Sequence, residues 1–511
     1  MRHISDLEHA IEARKPVRNY LLVIPSLLVV ILFYSWFVSS GGGNQSGTTT
    51  IYYGYLAEAF LHGDLHLELE PTPQLLALDN PYDVAARIEL KRSGVFTPMD
   101  FSLYEEKFYV YWGPVPGLLL AAIQRISGAA ISDFFLAFTI GLGIFLMQSF
   151  FLFTVWKRYY YTLPKWTLPL AILLGGSIWP IVLLRHYGDY ARIYEAAIGG
   201  GQFFFLSGIF AAFTAITSPS GSIGRLVLAG FLWALAIGTR HVLAAPVGLM
   251  VLVIGFWLLK TTESVTEKTM KFTLLCLPLA LGAAALGWYN WARFGAITET
   301  GFSYALAGVD IQSHQNELFS GSYIIPNLYN YLLHSPVLMQ DFPFLLMLEG
   351  RQSLLTTIHA VPEFYTAQPI AGLAHVFPFV VFAVVPLFAF LPDLFKPKPV
   401  QPLVRSGHNR DLAWLTLLLS SSSIIALVLL LGFFWAAMRY LSDFIPGFLI
   451  LSVMGFWQGY QSIAHRARIK SLYTSAGVIL ACISIVVNTL LAISLDPGLI
   501  ARVTSTFPFL K

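Results

Sequence analysis

The residues best suited to chemistry lie between positions 51 and 114. Asp64, Glu68 and Glu70 are followed by Asp79-Asn80-Pro81-Tyr82-Asp83. Then come Asp100-Phe101-Ser102-Leu103-Tyr104 and Tyr109-Val110-Tyr111-Trp112-Gly113-Pro114. A positioned carboxylate can take the proton of a hydroxyl nucleophile. Carboxylates and amides also bind sugar hydroxyls, and aromatic faces cover the apolar side of a sugar ring. A plainer reading stands beside this one. Asp, Asn and Pro together are ordinary turn chemistry, and Tyr and Trp gather at membrane interfaces.

A second set of polar residues sits at the ends of long apolar runs, where a charge needs a partner or a function. Arg439 and Asp443 are four apart. On an α-helix they would share a face, either pairing with each other or leaving Arg439 to hold a phosphate. Arg185, His186, Asp189, Arg192 and Glu195 crowd one turn and are expected to form a site wall. Arg240-His241 divides two apolar runs and faces either a cavity or a simple turn. Arg293 follows Trp288, Tyr289 and Trp291, which equally suits a snorkelling interface arginine. His62, His66, His314, His334 and His359 show no zinc-ligand spacing.

The elements that must position these residues are membrane spans. Only 12% of the 511 residues are charged and mean hydropathy is +0.67, whereas soluble domains carry about 25% charged residues. Net charge is +3, so a nucleic-acid footprint is not indicated. Cys276 and Cys482 lie in apolar stretches and read as buried small hydrophobes without a disulfide. A span needs about 20 mostly apolar residues. Eleven are expected, near 19–39, 133–156, 167–184, 200–217, 225–239, 241–259, 272–291, 371–391, 412–436, 441–459 and 472–494. The first reads as a retained signal anchor, being longer than a signal-peptide core. The basic clusters around Arg14, Lys157-Arg158, Lys260-Lys271, Lys396-Arg410 and Arg466-Lys470 are always an even number of spans apart. Positive-inside bias therefore puts all of them, and the N-terminus, in the cytoplasm, and the C-terminus outside.

Two large loops, 40–132 and 292–370, then face outward. The fold class expected is an all-α polytopic bundle, residues 1–511 forming a single transmembrane domain. Within the first loop, apolar positions 52, 55, 56, 59 and 60 give an amphipathic surface helix, with Glu58 and His62 on its wetter side and Gly63 as its C-cap. The segment Pro114 to Ile126 is apolar but too short to span, and is expected to lie at the interface. Asn44-Gln45-Ser46 matches a glycosylation sequon, relevant only in a secretory-pathway host.

This layout resembles the GT-C superfamily of polytopic glycosyltransferases that use lipid-linked sugars, and more closely an uncharacterised bacterial branch of it. Tyr55-Leu56-Ala57-Glu58-Ala59-Phe60-Leu61-His62-Gly63-Asp64 is similar to the family's stretch ending in Gly-Asp, and Gly113-Pro114-Val115-Pro116-Gly117 to its Pro-rich juxtamembrane helix. Ile193-Tyr194-Glu195 sits where relatives carry a second acid, and Arg240 ends a short helix as in many members. Tyr289-Asn290-Trp291-Ala292-Arg293-Phe294-Gly295 and Arg439-Tyr440-Leu441-Ser442-Asp443-Phe444-Ile445-Pro446 resemble the bacterial branch. The chain departs from the pattern just after the first span, where members carry an acid and this sequence reads Ser46-Gly47-Thr48-Thr49-Thr50.

The resemblance implies a hexosyl- or pentosyltransferase of the cell envelope, in glycan biosynthesis. It would move a sugar from a polyprenyl phosphate donor to a glycan, lipid or protein acceptor at the outer face of a bacterial inner membrane. Its catalytic candidates are Asp100 first, as the substitute for the missing acid, then Glu195, Asp79 and Asp83. Its donor-binding candidates are Arg240, Arg439, Arg293, Tyr104, Tyr111 and Asp443. No metal ligand is assigned and no cofactor is certain, with a divalent cation left open. Two other readings are a transporter or flippase for a lipid-linked or polar solute, and a non-catalytic membrane protein of the same fold. Charges at outer span ends rather than at the midplane disfavour the transporter.

Overall fold

The computed structural model describes residues 23–39, 51–129, 131–184, 193–218, 222–350, 361–395 and 404–510. The basic residues of the N-terminal cluster, the sequon and the acid-free stretch 46–50 lie outside the described residues. So do Arg185, His186, Asp189 and Arg192, His359, and Lys396 and Lys398.

The described chain is almost entirely helical. In order, the helices are α1 (Val23–Ser39), α2 (Tyr52–His62), α3 (Pro73–Leu76), α4 (Val84–Arg92), α5 (Val115–Ser127), α6 (Asp133–Tyr159), α7 (Thr167–Trp179), α8 (Ile193–Thr217) and α9 (Ser222–Thr239). There follow α10 (Ala244–Lys260), α11 (Val265–Phe294), α12 (Ile324–Leu332), α13 (Leu373–Val376), α14 (Val384–Phe390), α15 (Val404–Leu431), α16 (Ile445–Ser462), α17 (Ala467–Ser494) and α18 (Pro497–Thr506). Each of the eleven expected spans overlaps a helical segment. Among the described residues, seven helices are long and apolar enough to cross a membrane: α6, α8, α9, α10 with its leading turn, α11, α15 and α17. Exposed Leu252, Leu281, Phe150, Val428 and Leu472 on these helices suit lipid rather than water. The chain is an integral membrane protein with a polytopic helical fold.

Boundaries moved where local chemistry outweighed hydropathy. α8 begins at Ile193, seven residues before the expected start at 200, because Gly199, Gly200 and Gly201 are helical. α11 begins at a capping box, Ser264 with Glu267. The expected span 371–391 is broken into α13, a 3₁₀ turn Pro378–Ala383, α14 and a further turn Leu391–Leu394. Pro378, Pro386 and Pro392 remove donors there. Gly455 of α16 lies against this break, and a Cβ on it would sit 1.9 Å from the Phe382 carbonyl oxygen. Cys482 is exposed rather than buried, since its side of α17 faces outward.

The two helices expected in the first loop, α2 and α5, both form. α2 ends at Gly63 with φ +88°, and α5 packs across it, Gly117 seating Leu56. His62 is exposed and contacts Glu68. At 13 residues, α5 is about 20 Å long, short of the roughly 30 Å hydrocarbon core. The buried carboxylate of Asp133, at the start of α6, accepts from Tyr52 N at 2.8 Å and Tyr53 N at 3.0 Å. It thereby fixes the first turn of α2 to a membrane helix.

Candidate functional site

Asp100 is held by the union of the two large loops. Its backbone N–H donates to the Leu306 carbonyl at 3.0 Å, and Leu306 N–H returns a bond to Phe101 at 2.8 Å. Arg87 of α4 holds the next carbonyl, Ala307, at 2.5 Å. A hairpin, Ser102–Tyr104 with Lys107–Tyr109, follows immediately. Asp100 itself adopts φ +65°, a left-handed conformation that Asp tolerates better than most residues. The turn aims its side chain inward, and Asp100 is only 5% exposed.

The side chain enters a cavity of about 360 Å³. Its polar wall is made by Asp100, Tyr111, Trp112, Tyr194, Glu195, Arg240, His241, Gln368, Arg439, Tyr440 and Asp443. Its apolar wall is made by Val242, Leu243 and Pro246 at the start of α10, Ala426, Leu429 and Leu430 at the end of α15, and Phe433, Phe434 and Trp435 beyond it. Asp100, Glu195, Arg240 and Arg439, far apart in sequence, thus open onto one space.

Two charged groups define its centre. Arg240 donates to Asp443, whose carboxylate also accepts from Gln202 at 3.2 Å. That guanidinium is already neutralised. Arg439 is different. Its Nη1 donates to the Gln368 side-chain oxygen at 2.6 Å. Its guanidinium lies over the rings of Tyr194, 4.5 Å from the centroid, and Tyr440, 5.2 Å. It is 6% exposed, its Nε has no hydrogen-bond partner, and it makes no ion pair among the described residues. Gln368 is brought there by a short parallel pairing of Thr366–Ala367 with Trp435–Ala436.

Asp100 is coupled to the same group of rings. The Tyr194 hydroxyl donates to Asp100, and the Tyr111 hydroxyl donates to Tyr194 at 3.2 Å. Burial raises the Asp100 carboxyl from its ordinary value to about 6, while the Tyr194 hydrogen bond and the nearby Arg439 and Arg87 charges lower it and Glu195 raises it. A carboxylate with a pKa near working pH has the right basicity for a general base.

Several sequence candidates are placed elsewhere. Arg293 is buried outside the cavity lining, stacked on Tyr289 at 3.7 Å and donating to the Val110 carbonyl at 2.8 Å. It holds the chain that leads to Trp112. Tyr104 packs on Tyr304 and Phe294, outside the cavity lining. Asp83 caps α4, accepting from Ala85 N at 2.7 Å, and Asp79 is exposed outside the lining. Asp443 lines the cavity but serves Arg240, not Arg439. Residues Met438–Asp443 form a 3₁₀ helix rather than an α-helix, so positions four apart do not share a face.

Tyr194, Tyr440, Gln368 and Gln202 were not singled out as site residues from the sequence. Tyr194 stood beside Glu195 in the quoted motif, whereas nothing in the sequence marks Gln368. Among the described residues no three His, Cys, Asp or Glu side chains converge on a metal-sized space. The described lining of this cavity has three carboxylates, Asp100, Glu195 and Asp443, beside arginines, and Asp443 is already committed to Arg240.

No protein-family model matches the chain, and no curated protein matches it. Among solved structures it is similar to the apo oligosaccharyltransferase of Archaeoglobus fulgidus, with 13% identity and a TM-score of 0.49, over 92% of this chain and 56% of that one. It is also similar to the archaeal oligosaccharyltransferase AglB from Archaeoglobus fulgidus in complex with an inhibitory peptide and a dolichol-phosphate, with 13% identity and a TM-score of 0.47, over 92% and 55%. The chain spans little more than half the length of these proteins.

Proposed function

We propose that the protein is a membrane glycosyltransferase that moves a sugar from a polyprenyl-phosphate carrier to an acceptor hydroxyl. One observation carries this reading. A buried carboxylate raised to about 6 and an arginine without an ion-pair partner among the described residues contact the same tyrosine in a cavity that has one polar and one strongly apolar wall. The local sequence resemblance to lipid-dependent glycosyltransferases points the same way.

The chemistry needs few groups. The acceptor O–H loses its proton to Asp100 as its oxygen bonds to the anomeric carbon of the sugar. The bond from that carbon to the carrier phosphate oxygen breaks, and its electron pair leaves with the phosphate. Arg439, buried, with its Nη1 held by Gln368 and its Nε unpartnered among the described residues, stabilises the negative charge that accumulates there. Arg240 is second to it, because Asp443 shares its charge. Tyr194 orients Asp100 and gives Arg439 an aromatic surface. The apolar wall would accept the first part of the carrier chain.

The test is direct. Purified protein is incubated with radiolabelled polyprenyl-phosphate sugars and a panel of glycan, lipid and peptide acceptors. Release of free polyprenyl phosphate together with labelled product supports transfer. If the label instead crosses a sealed vesicle membrane with the donor intact, the protein is a flippase. If the wild type neither binds nor turns over any donor, the enzyme reading is lost.

A further inference from the structure

The three helices that build the cavity carry a second, smaller one at their opposite ends. The first cavity takes Glu195 near the start of α8, the residues just before and within the first turn of α10, and Leu430 at the end of α15. The second, about 190 Å³, takes Ile216 at the end of α8, Trp257 and Lys260 at the end of α10, and Arg410 and Trp414 near the start of α15. Along α8, Glu195 and Ile216 are 21 residues apart (216 − 195), or about 32 Å at 1.5 Å per residue. That is about the thickness of the hydrocarbon core. The two cavities therefore lie at opposite membrane faces.

Residues of three basic clusters, widely separated in sequence, converge here: Lys260 ending α10 and Arg410 near the start of α15 line the second cavity, and Arg158 ending α6 binds the Asp411 of its lining. Asp411 is the one carboxylate in its lining, and it is already engaged. It accepts from Arg158 at 3.1 Å and from the Tyr159 hydroxyl at 2.9 Å. Arg158 gives its remaining bonds to Thr217, reaching the hydroxyl and the carbonyl, each at 2.8 Å. It thus closes the C-terminal end of α8, where a cation is favoured. Lys260 and Arg410 are left. Neither forms an ion pair among the described residues; Lys260 lies over the Phe256 ring, 5.3 Å from its centroid. Two like charges lining one small opening repel unless an anion sits between them. Trp257 and Trp414, both largely buried, give the opening an interfacial floor.

We infer that this second cavity binds a phosphate-bearing anion, held between Lys260 and Arg410 and presented by a membrane phospholipid headgroup. Positive-inside bias accounts for basic residues at span ends. It does not require three clusters to converge on one opening, nor their local carboxylate to be taken by the one arginine that caps a helix. A bound headgroup would join the ends of α10 and α15, whose other ends carry the first cavity.

The experiment places the full chain in nanodiscs of phosphatidylcholine, with or without phosphatidylglycerol, and counts lipids retained on extraction by native mass spectrometry. The wild type should retain phosphatidylglycerol selectively. Lys260→Gln and Arg410→Gln should each lower retention severalfold, and Lys260→Arg should keep it. Circular dichroism of each variant reports its helical content, so loss of a site is separable from loss of the fold. In a parallel arm, millimolar inorganic phosphate is added to phosphatidylcholine discs and the melting temperature is read. A rise in the wild type but not in the two Gln variants, without selective lipid retention, assigns the same site to a soluble phosphate. Equal lipid retention in wild type and Gln variants, with no response to phosphate, overturns the proposal. None of these readouts depends on glycosyl transfer.

Discussion

The Arg439 guanidinium lies 4.5 Å from the ring centroid of Tyr194, and the hydroxyl of that same tyrosine donates to Asp100. One side chain thus sets the spacing between the proposed base and the proposed phosphate contact. Tyr194→Phe separates the two functions, keeping the ring under Arg439 and removing the bond to Asp100. A hydrogen bond to the charged form of a carboxyl favours that form. Its loss should raise the Asp100 pKa further, moving the acidic limb of the pH–rate profile to higher pH while donor affinity stays nearly constant. An unmoved limb in an active Tyr194→Phe variant would mean that Asp100 is not the group seen in the profile.

The wild-type profile itself is predicted. Asp100 is raised to about 6, chiefly by burial, and must be ionised to accept a proton. Transfer should therefore be flat above that pH and fall about tenfold per unit well below it. The stability effect has the opposite sense. A carboxyl whose folded pKa lies above its unfolded value binds its proton more tightly when folded. It contributes stability below the ordinary carboxyl pKa, lost as pH rises through about 6. Rates measured from pH 4.5 to 8 on one preparation, with folding checked at each end, test the sign.

Much of this arrangement was legible in the sequence, for reasons of scale. Spans are long apolar runs, and hydropathy, which averages over many residues, located the seven helices that are long and apolar enough to cross a membrane among the described residues. Gly63 as a cap, α5 as a short helix and the meeting of Asp100 with Glu195, Arg240 and Arg439 followed from residue type at element ends. The errors lie where a short segment adopted an unexpected backbone. Arg439 and Asp443 would share a face on an α-helix, but the 3₁₀ turn sends Asp443 to Arg240. Arg293 was ambiguous because its choice depended on the Val110 carbonyl, 183 residues away in sequence. Asp83 drew attention as a carboxylate, yet two backbone N–H groups of its own helix had first claim on it. Gln368 reached the cavity through a two-residue parallel pairing that leaves no periodicity to read.

Asp100→Asn is the decisive substitution for catalysis. Asn also tolerates the left-handed conformation that position 100 adopts, so the loop should keep its path where Ala would strain it. Turnover should fall by about 100- to 10,000-fold, the usual worth of a positioned base. Donor binding should be nearly unchanged, since the phosphate is assigned to arginine. Wild-type turnover in a well-expressed variant would remove Asp100 as the base and pass the role to Glu195.

The two cavity arginines should fail differently. Arg439 makes no ion pair among the described residues, so Arg439→Ala leaves no described carboxylate stranded. It should chiefly weaken donor binding, through loss of a charge-assisted contact worth about 1.5–3 kcal/mol, which is roughly 10- to 150-fold in affinity. Arg240 and Asp443 are a buried pair, with side chains 7% and 4% exposed. Arg240→Ala strands the Asp443 carboxylate, and breaking such a pair from one side costs about 3–5 kcal/mol. That variant should lose melting temperature and yield before affinity can be measured. Replacing both partners together, as Arg240→Met with Asp443→Leu, removes the stranded charge and should recover most of the stability. Donor affinity in the recovered double variant then isolates what Arg240 adds at the phosphate. If Arg439→Ala melts as low as Arg240→Ala and binds donor normally when folded, Arg439 is a structural cation and the phosphate must be held elsewhere.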